Sequence, residues 1–367
     1  MTSSHQARPP LGSPKLTFSA DSFFDTQEVP AGLEKKRRQA QEFVERHNSE
    51  GRKVVLVTDK RAYYLTLSSS VRFLDNFSAG TRGATSAEYF LAAGYAVIFM
   101  HRQHSLSPYT RHYSHTTNPF LDLLSEPTED SKDGASPITV LPQHSSALKP
   151  VLHNYHSARK AGTLLRLTFV TVTDYLFMLR EMSQVMQPLG RRGMYYLAAA
   201  VSDFYVPSQK TVSGPSKRDY AEIVLIIEYP QQPEHKIQSG KGSLMIEMDQ
   251  VPKVLKPMVQ KWAPEGFIVS FKLETDEDLL IPKARNALER YGHQVVVGNE
   301  LNRRKYEVVF VERVSDGNFK ESWIRLDPQQ DTSFNSVIGK AGEKEIEEDI
   351  VRNLEERHEQ WIKSAQS

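Results

Sequence analysis

The chain has 367 residues, 39% of them apolar and 25% charged, with a formal net charge of +1. That is an ordinary globular composition with no overall pull toward nucleic acid or a membrane surface. It contains no cysteine, which excludes disulfides, thiolate metal sites and a cysteine nucleophile. No apolar run approaches the roughly 20 residues of a membrane span, and the polar start has no apolar signal core, so a cytoplasmic location is expected.

Residues 1–31 carry Pro9, Pro10, Pro14 and Pro30 among polar residues and read as a disordered tail. Residues 32–367 read as a single α/β domain. A charged helix over 32–48 leads into a buried-strand pattern at 54–57, and a second helix, closed by Gly94, leads into a strand at 95–100. A polar insertion covers 125–148. Helix and strand then alternate at 151–161, 164–170, 173–186 and 194–200, and again at 251–262, 267–273, 276–291 and 294–298, the pattern of a parallel sheet. A second insertion, 209–232, holds the apolar run 223–227. Two late strands, 306–313 and 322–327, have no helix between them and read as an antiparallel excursion; a long helix covers 340–363.

Five short words stand out against this frame: Arg-Phe-Leu-Asp-Asn-Phe-Ser-Ala-Gly-Thr-Arg-Gly at 72–83, Leu-Ala-Ala-Ala-Val-Ser-Asp-Phe at 197–204, Pro-Glu-His-Lys-Ile at 233–237, Ser-Phe-Lys-Leu-Glu-Thr-Asp at 270–276 and Val-Val-Val-Gly-Asn at 295–299. Most lie at or just after a strand-like run, so a parallel sheet would bring them to one edge, where open α/β sheets bind ligands. Gly80 and Gly83 stand at the mouth of a helix, where backbone N–H groups hold phosphate oxygens or the glycines simply ease a turn. Asn76 is a donor for a carbonyl that gains charge, or a partner of its own turn. Arg72 offers a planar fork to a phosphate or carboxylate, with a surface ion pair as the alternative. Ala199 and Ala200 admit close approach, and Asp203 either meets a ligand or caps a helix. Lys236 is a cation near reacting anions or a solvated lysine, and its neighbour His235 is a residue type able to shuttle protons. Phe271 is a ring in the core or against a ligand, and Asn299 offers hydrogen bonds; Glu274 and Asp276 suit a helix start.

Taken together and in order, over most of residues 50–360, these words resemble the phosphopantothenoylcysteine synthetases, or phosphopantothenate–cysteine ligases, of the eukaryotic stand-alone type. The resemblance implies a Rossmann-like, mostly parallel α/β sheet flanked by helices, with a late antiparallel excursion. It implies a ligase that joins 4′-phosphopantothenate to L-cysteine through an acyl-nucleotide, with ATP or CTP as co-substrate and Mg2+ carried mainly on the phosphates rather than by dedicated protein ligands. Asn76 and Lys236 would be catalytic. Ser78, Gly80, Gly83, Asp203, Phe271 and Asn299 would bind the nucleotide, and Arg72, Ala199 and Ala200 the substrate. A homodimer through the late strands is expected, with no nucleic acid or membrane partner.

The chain departs from that family where a Ser-Gly-Gly-Thr word should follow the first strand: Asp59-Lys60-Arg61 stands there instead. The altered segment 59–70 keeps open a second reading, a catalytically inactive homologue that binds a ligand or protein. A third, an NADP-dependent oxidoreductase, rests on the glycines and on the basic His101-Arg102. It fits less well, because the first strand lies about twenty residues upstream of the glycine word and the second ends in basic rather than acidic residues.

Overall fold

The computed structural model describes residues 20–59, 80–113, 119–125, 138–201, 204–205, 249–314, 317–326 and 344–365. Its centre is an eight-stranded sheet in the order β10-β9-β8-β7-β4-β1-β2-β3. The strands are β1 (Val54–Asp59), β2 (Ala96–Arg102), β3 (Leu164–Phe169), β4 (Gly193–Leu197), β7 (Phe267–Glu274), β8 (Val295–Glu300), β9 (Glu307–Arg313) and β10 (Phe319–Arg325). β5 (Phe204–Tyr205) and β6 (Asp249–Gln250) form a separate antiparallel pair. β3, β2, β1, β4, β7 and β8 run parallel; β9 turns back against β8 and β10 against β9. This is the α/β class and the late antiparallel excursion that the sequence suggested.

The parallel strands are apolar on both faces because both faces are covered. One face packs against α1 (Ala20–Thr26), α2 (Leu33–Ser49) and α5 (Val172–Val185) through Val54, Leu56, Ile98 and Ile268. The other packs against α3 (Thr81–Ala92) and α8 (Ile346–Lys363) through Val55, Val57, Val97 and Val269. α7 (Glu277–Tyr291) covers Val296 and Val309 with Leu280, Ala284 and Leu288.

Four expectations shift. The supposed tail is folded from Ala20, because the adjacent Phe23 and Phe24 enter the core and meet Phe177 at 6.4 and 5.1 Å between ring centroids; residues 1–19 lie outside the described region. α4 (Pro142–Ala161) starts well before the expected position, with proline in its first turn, where a missing N–H costs nothing. The helix expected over 251–262 is broken into α6 (Leu255–Pro257) and a π-helical turn, Met258–Trp262; Pro252 and Pro257 remove donors that a regular helix needs. α8 begins at Ile346 rather than 340, after an extended Glu345 (φ −88°, ψ 136°).

Candidate functional site

β1 is the switch point of the sheet: the chain crosses from it to β2 and β3 on one side and later fills β4, β7 and β8 on the other. In open parallel sheets the crevice beyond such a strand is where ligands bind. Five groups of described residues converge on it: the end of β1, the first turn of α3, residues 198–201 after β4, the end of β7 and the end of β8.

At the centre lies a carboxylate. Asp59, 2% exposed, ends β1 and accepts the Gly83 N–H at 3.3 Å with Oδ1. Gly80 precedes α3 in the left-handed region (φ 81°), a conformation glycine adopts freely. A Cβ at Gly83 would fall 2.6 Å from Asp59 Cβ. The two glycines therefore serve close packing against Asp59 as well as the turn. The helix mouth, expected to present bare N–H groups, already faces a carboxylate of its own chain.

Beside it, the residues after β4 leave the ladder. The Ala198 N–H donates to Tyr196 O at 3.1 Å, a tight reversal. The Ala199 N–H donates to Thr58 Oγ1 at 3.2 Å, holding the small-residue segment against β1. Ala199 and Ala200 are thus at the crevice, half-buried, as the sequence placed them. Phe271 is half-buried and meets the Tyr196 ring edge-on at 4.8 Å. The Tyr196 hydroxyl lies 2.7 Å from Ser86 Oγ in α3, so one aromatic ties β4, β7 and α3 together. Asn299, 7% exposed, is paired in register with Leu273, and the Leu301 N–H donates to Glu274 O at 2.9 Å, fixing the turn that follows. Asp276 caps α7 by accepting the Asp278 N–H at 3.0 Å, which accords with its helix-start reading, whereas Glu274 ends β7 and pairs with Lys283 at 2.6 Å.

Gly80, Gly83, Ala199, Ala200, Phe271 and Asn299 therefore share one edge. Arg72, Asn76, Ser78, Asp203 and Lys236 lie outside the described residues, as do the altered positions 60–70 and the insertion 209–232. Among the described residues no three His, Asp or Glu side chains converge as a metal-binding cluster. No described helix is long and apolar enough to cross a membrane.

His101 and Arg102, on which the oxidoreductase reading partly rests, are 8% and 4% exposed. His101 Nδ1 lies 3.0 Å from Ser105 Oγ, and burial pushes the imidazole down to about 4, so it is neutral at physiological pH. Sequence reasoning did not single out Asp59, Thr58 and Tyr196 as site residues. Their signal was positional: Thr58 and Asp59 directly follow the buried run 54–57, and Tyr196 immediately precedes the Leu197 word.

Below this edge, Arg111 (2% exposed) wedges between α3 and α8. Its guanidinium donates to Glu88 at 2.9 and 3.1 Å and to Glu345 at 2.7 and 2.8 Å, the bidentate geometry of strong charge-assisted bonds. Burial pushes the Glu88 carboxyl up, but His112 and Arg111 outweigh it and hold it below its usual range.

The comparisons with known proteins agree with this geometry. Residues 224–313 match the family model described as the DNA/pantothenate metabolism flavoprotein C-terminal domain. The chain is 42% identical over 320 residues to the human phosphopantothenate–cysteine ligase, covering 87% of this chain and 91% of that protein. It is 36% identical to the corresponding ligase of Saccharomyces cerevisiae, covering 94% of this chain and 87% of that one. A Cab2 mutant solved in complex with phosphopantothenate-cysteine superposes with a TM-score of 0.76 at 36% identity, over 95% of this chain and all of that structure.

Proposed function

This chain belongs to the phosphopantothenate–cysteine ligase family, and from that premise we propose that it forms the amide between 4′-phosphopantothenate and L-cysteine, a step of coenzyme A biosynthesis, using ATP or CTP. The observation that carries the proposal is the convergence of Gly80, Gly83, Ala199, Ala200, Phe271 and Asn299 on the crevice beyond β1, supported by similarity to ligases over most of the chain.

The reaction divides in two. The pantothenate carboxylate attacks the α-phosphate and expels pyrophosphate, forming an acyl-nucleotide; the cysteine amine then attacks the acyl carbon and releases the nucleoside monophosphate. The first step needs two anions brought together, the second a donor for the charge that develops on the acyl oxygen as the neutral amine attacks, and both need water kept out. Ala199 and Ala200 leave room for a substrate against the strand end. Phe271 and Asn299 offer a ring face and amide hydrogen bonds to a base. Asn76 would stabilise the charged oxygen of the acyl-nucleotide, and Lys236 the reacting anions, with Arg72 holding a substrate anion and Ser78 and Asp203 completing the nucleotide contacts.

Mg2+ neutralises charge on the phosphates and usually takes only one or two carboxylates from the protein. Asp59, a hard oxygen donor at the mouth of α3, suits that role. We place the enzyme in the cytoplasm as a homodimer formed along β10, the last strand in the sheet order.

The test is direct. Purified protein is incubated with 4′-phosphopantothenate, cysteine, Mg2+ and either ATP or CTP, and pyrophosphate and amide product are measured. Product with either nucleotide supports the ligase and ranks the two. A folded protein that forms none with either returns the chain to the inactive-homologue reading.

A further inference from the structure

We infer that Arg82, which no sequence word assigned a role, is a positioning residue that locks the glycine turn to the Asn299 turn; the inference rests on the ligase reading above. Arg82 lies between Gly80 and Gly83 in the first turn of α3, with its side chain only 17% exposed. Nη1 stands 3.0 Å from Glu347 Oε1 in the first turn of α8. Nη2 donates to the backbone carbonyl of Arg304, in the turn between β8 and β9. That turn begins just after Asn299.

The proposed nucleotide site has two halves that the sheet brings near each other without joining directly. One is the α3 mouth, whose glycines have no side chains with which to reach across. The other is the β8 end, held to β7 through Leu301 and Glu274. A guanidinium presents its donors in one rigid plane, so gripping a backbone carbonyl on one half and a buried carboxylate beside it fixes the distance between halves. Glu347 is committed to the arrangement: burial pushes its carboxyl up, with the Arg82 charge opposing that rise. An isolated surface ion pair would be worth little. Here the acceptor of one fork arm is main chain in the turn that follows a binding residue, so loss of Arg82 loosens ligand geometry as well as fold.

Arg82→Gln, Arg82→Lys and Glu347→Gln are compared with wild type by calorimetric binding of ATP and CTP in the presence of Mg2+, by steady-state kinetics with each substrate varied, and by thermal unfolding. Arg82→Gln is expected to weaken nucleotide binding and raise nucleotide KM by about tenfold, with cysteine KM changed by less than about twofold. Arg82→Lys should recover only part, since an ammonium cannot hold both acceptors in the fork geometry. Glu347→Gln, which leaves the Arg304 carbonyl bond in place, should shift the same two nucleotide readings by a smaller factor. It decides the matter should Arg82→Gln fail to fold. A lowered Tm with nucleotide Kd and KM unchanged would make the pair merely structural and overturn the inference. Wild-type protein that binds neither nucleotide and forms no amide would remove the ligase reading, and this inference with it.

Discussion

The carboxylate of Asp59 lies directly against the first turn of α3, close enough to Gly83 to accept its backbone N–H and leave no space for a Cβ there. Gly83→Ala should therefore destabilise the fold by about 1–3 kcal/mol, the usual cost of overpacking, and lower amide formation. Asp59→Gly removes the opposing Cβ at a strand cost of about 0.5–1 kcal/mol. In the double variant the two losses should fall short of their sum; strictly additive losses in urea denaturation would contradict the contact.

Removing Arg111 leaves the half-buried carboxylates of Glu88 and Glu345 without the cation they share, and Glu88 with His112 alone. Arg111→Met should cost about 1–3 kcal/mol, the penalty of leaving hydrogen-bonded groups unsatisfied. Adding Glu345→Gln should return part of that loss. A loss from Arg111→Met below about 1 kcal/mol, the range of an exposed pair, would show that the wedge is solvated.

Three buried imidazoles make stability depend on pH. Burial pushes His101, His293 and His358 each down to about 4, against about 6.5 in an unfolded chain. Below pH 6.5 the unfolded state takes up protons that the folded state refuses until about pH 4. Their contribution is thus fully present above pH 6.5 and is lost as pH falls toward 4. Tm should drop steadily from pH 6.5 to 5, a window in which carboxylates are still ionised. His358, held by the Tyr95 hydroxyl at 2.9 Å and the Arg191 carbonyl at 2.8 Å, accounts for part of it, so His358→Gln should lower Tm at pH 7 and flatten the slope. A Tm that does not move between pH 7 and 5 would show that these rings protonate inside the fold.

Phe271 and Asn299 separate packing from binding. Phe271→Ala empties the space against Tyr196 and, the ring being half-buried, should cost about 1–3 kcal/mol, less than a full core truncation, as well as nucleotide affinity. Asn299→Ala should raise nucleotide KM with little change in Tm, read by kinetics alongside thermal unfolding. Unchanged KM in both variants would remove this end of the sheet from the nucleotide site.

Much of the fold was legible because the parallel strands are apolar on both faces and their helices carry clear stripes. The run 54–57 announced β1, and Gly94 the end of the helix before β2. Phe23 and Phe24 were not legible as core, since a proline-bearing polar surround hides a seven-residue helix whose stability comes only from tertiary burial. The break over 251–262 follows from Pro252 and Pro257, which an apolar stripe outweighed in the sequence reading. At the site, glycine, alanine and asparagine positions were readable from the words around strand ends. Asp59 was not, because its role depends on α3 folding back across it, and Arg82 was not, because its partners lie 222 and 265 residues away along the chain.

β1 lies between β2 and β4, and its neighbour on the far side, β4, is paired as Val54 with Gly193. At a synthesis rate of roughly 5–20 residues per second, the intervening chain emerges on the order of ten seconds after β1. Among the described strands, the one that carries Asp59 to the crevice is thus made first yet is walled on both sides only late. During that interval β2 is the one of its two described sheet neighbours already made, so a newly made chain can align the β1 end with α3 before the half of the crevice that holds Phe271 and Asn299 has been synthesised.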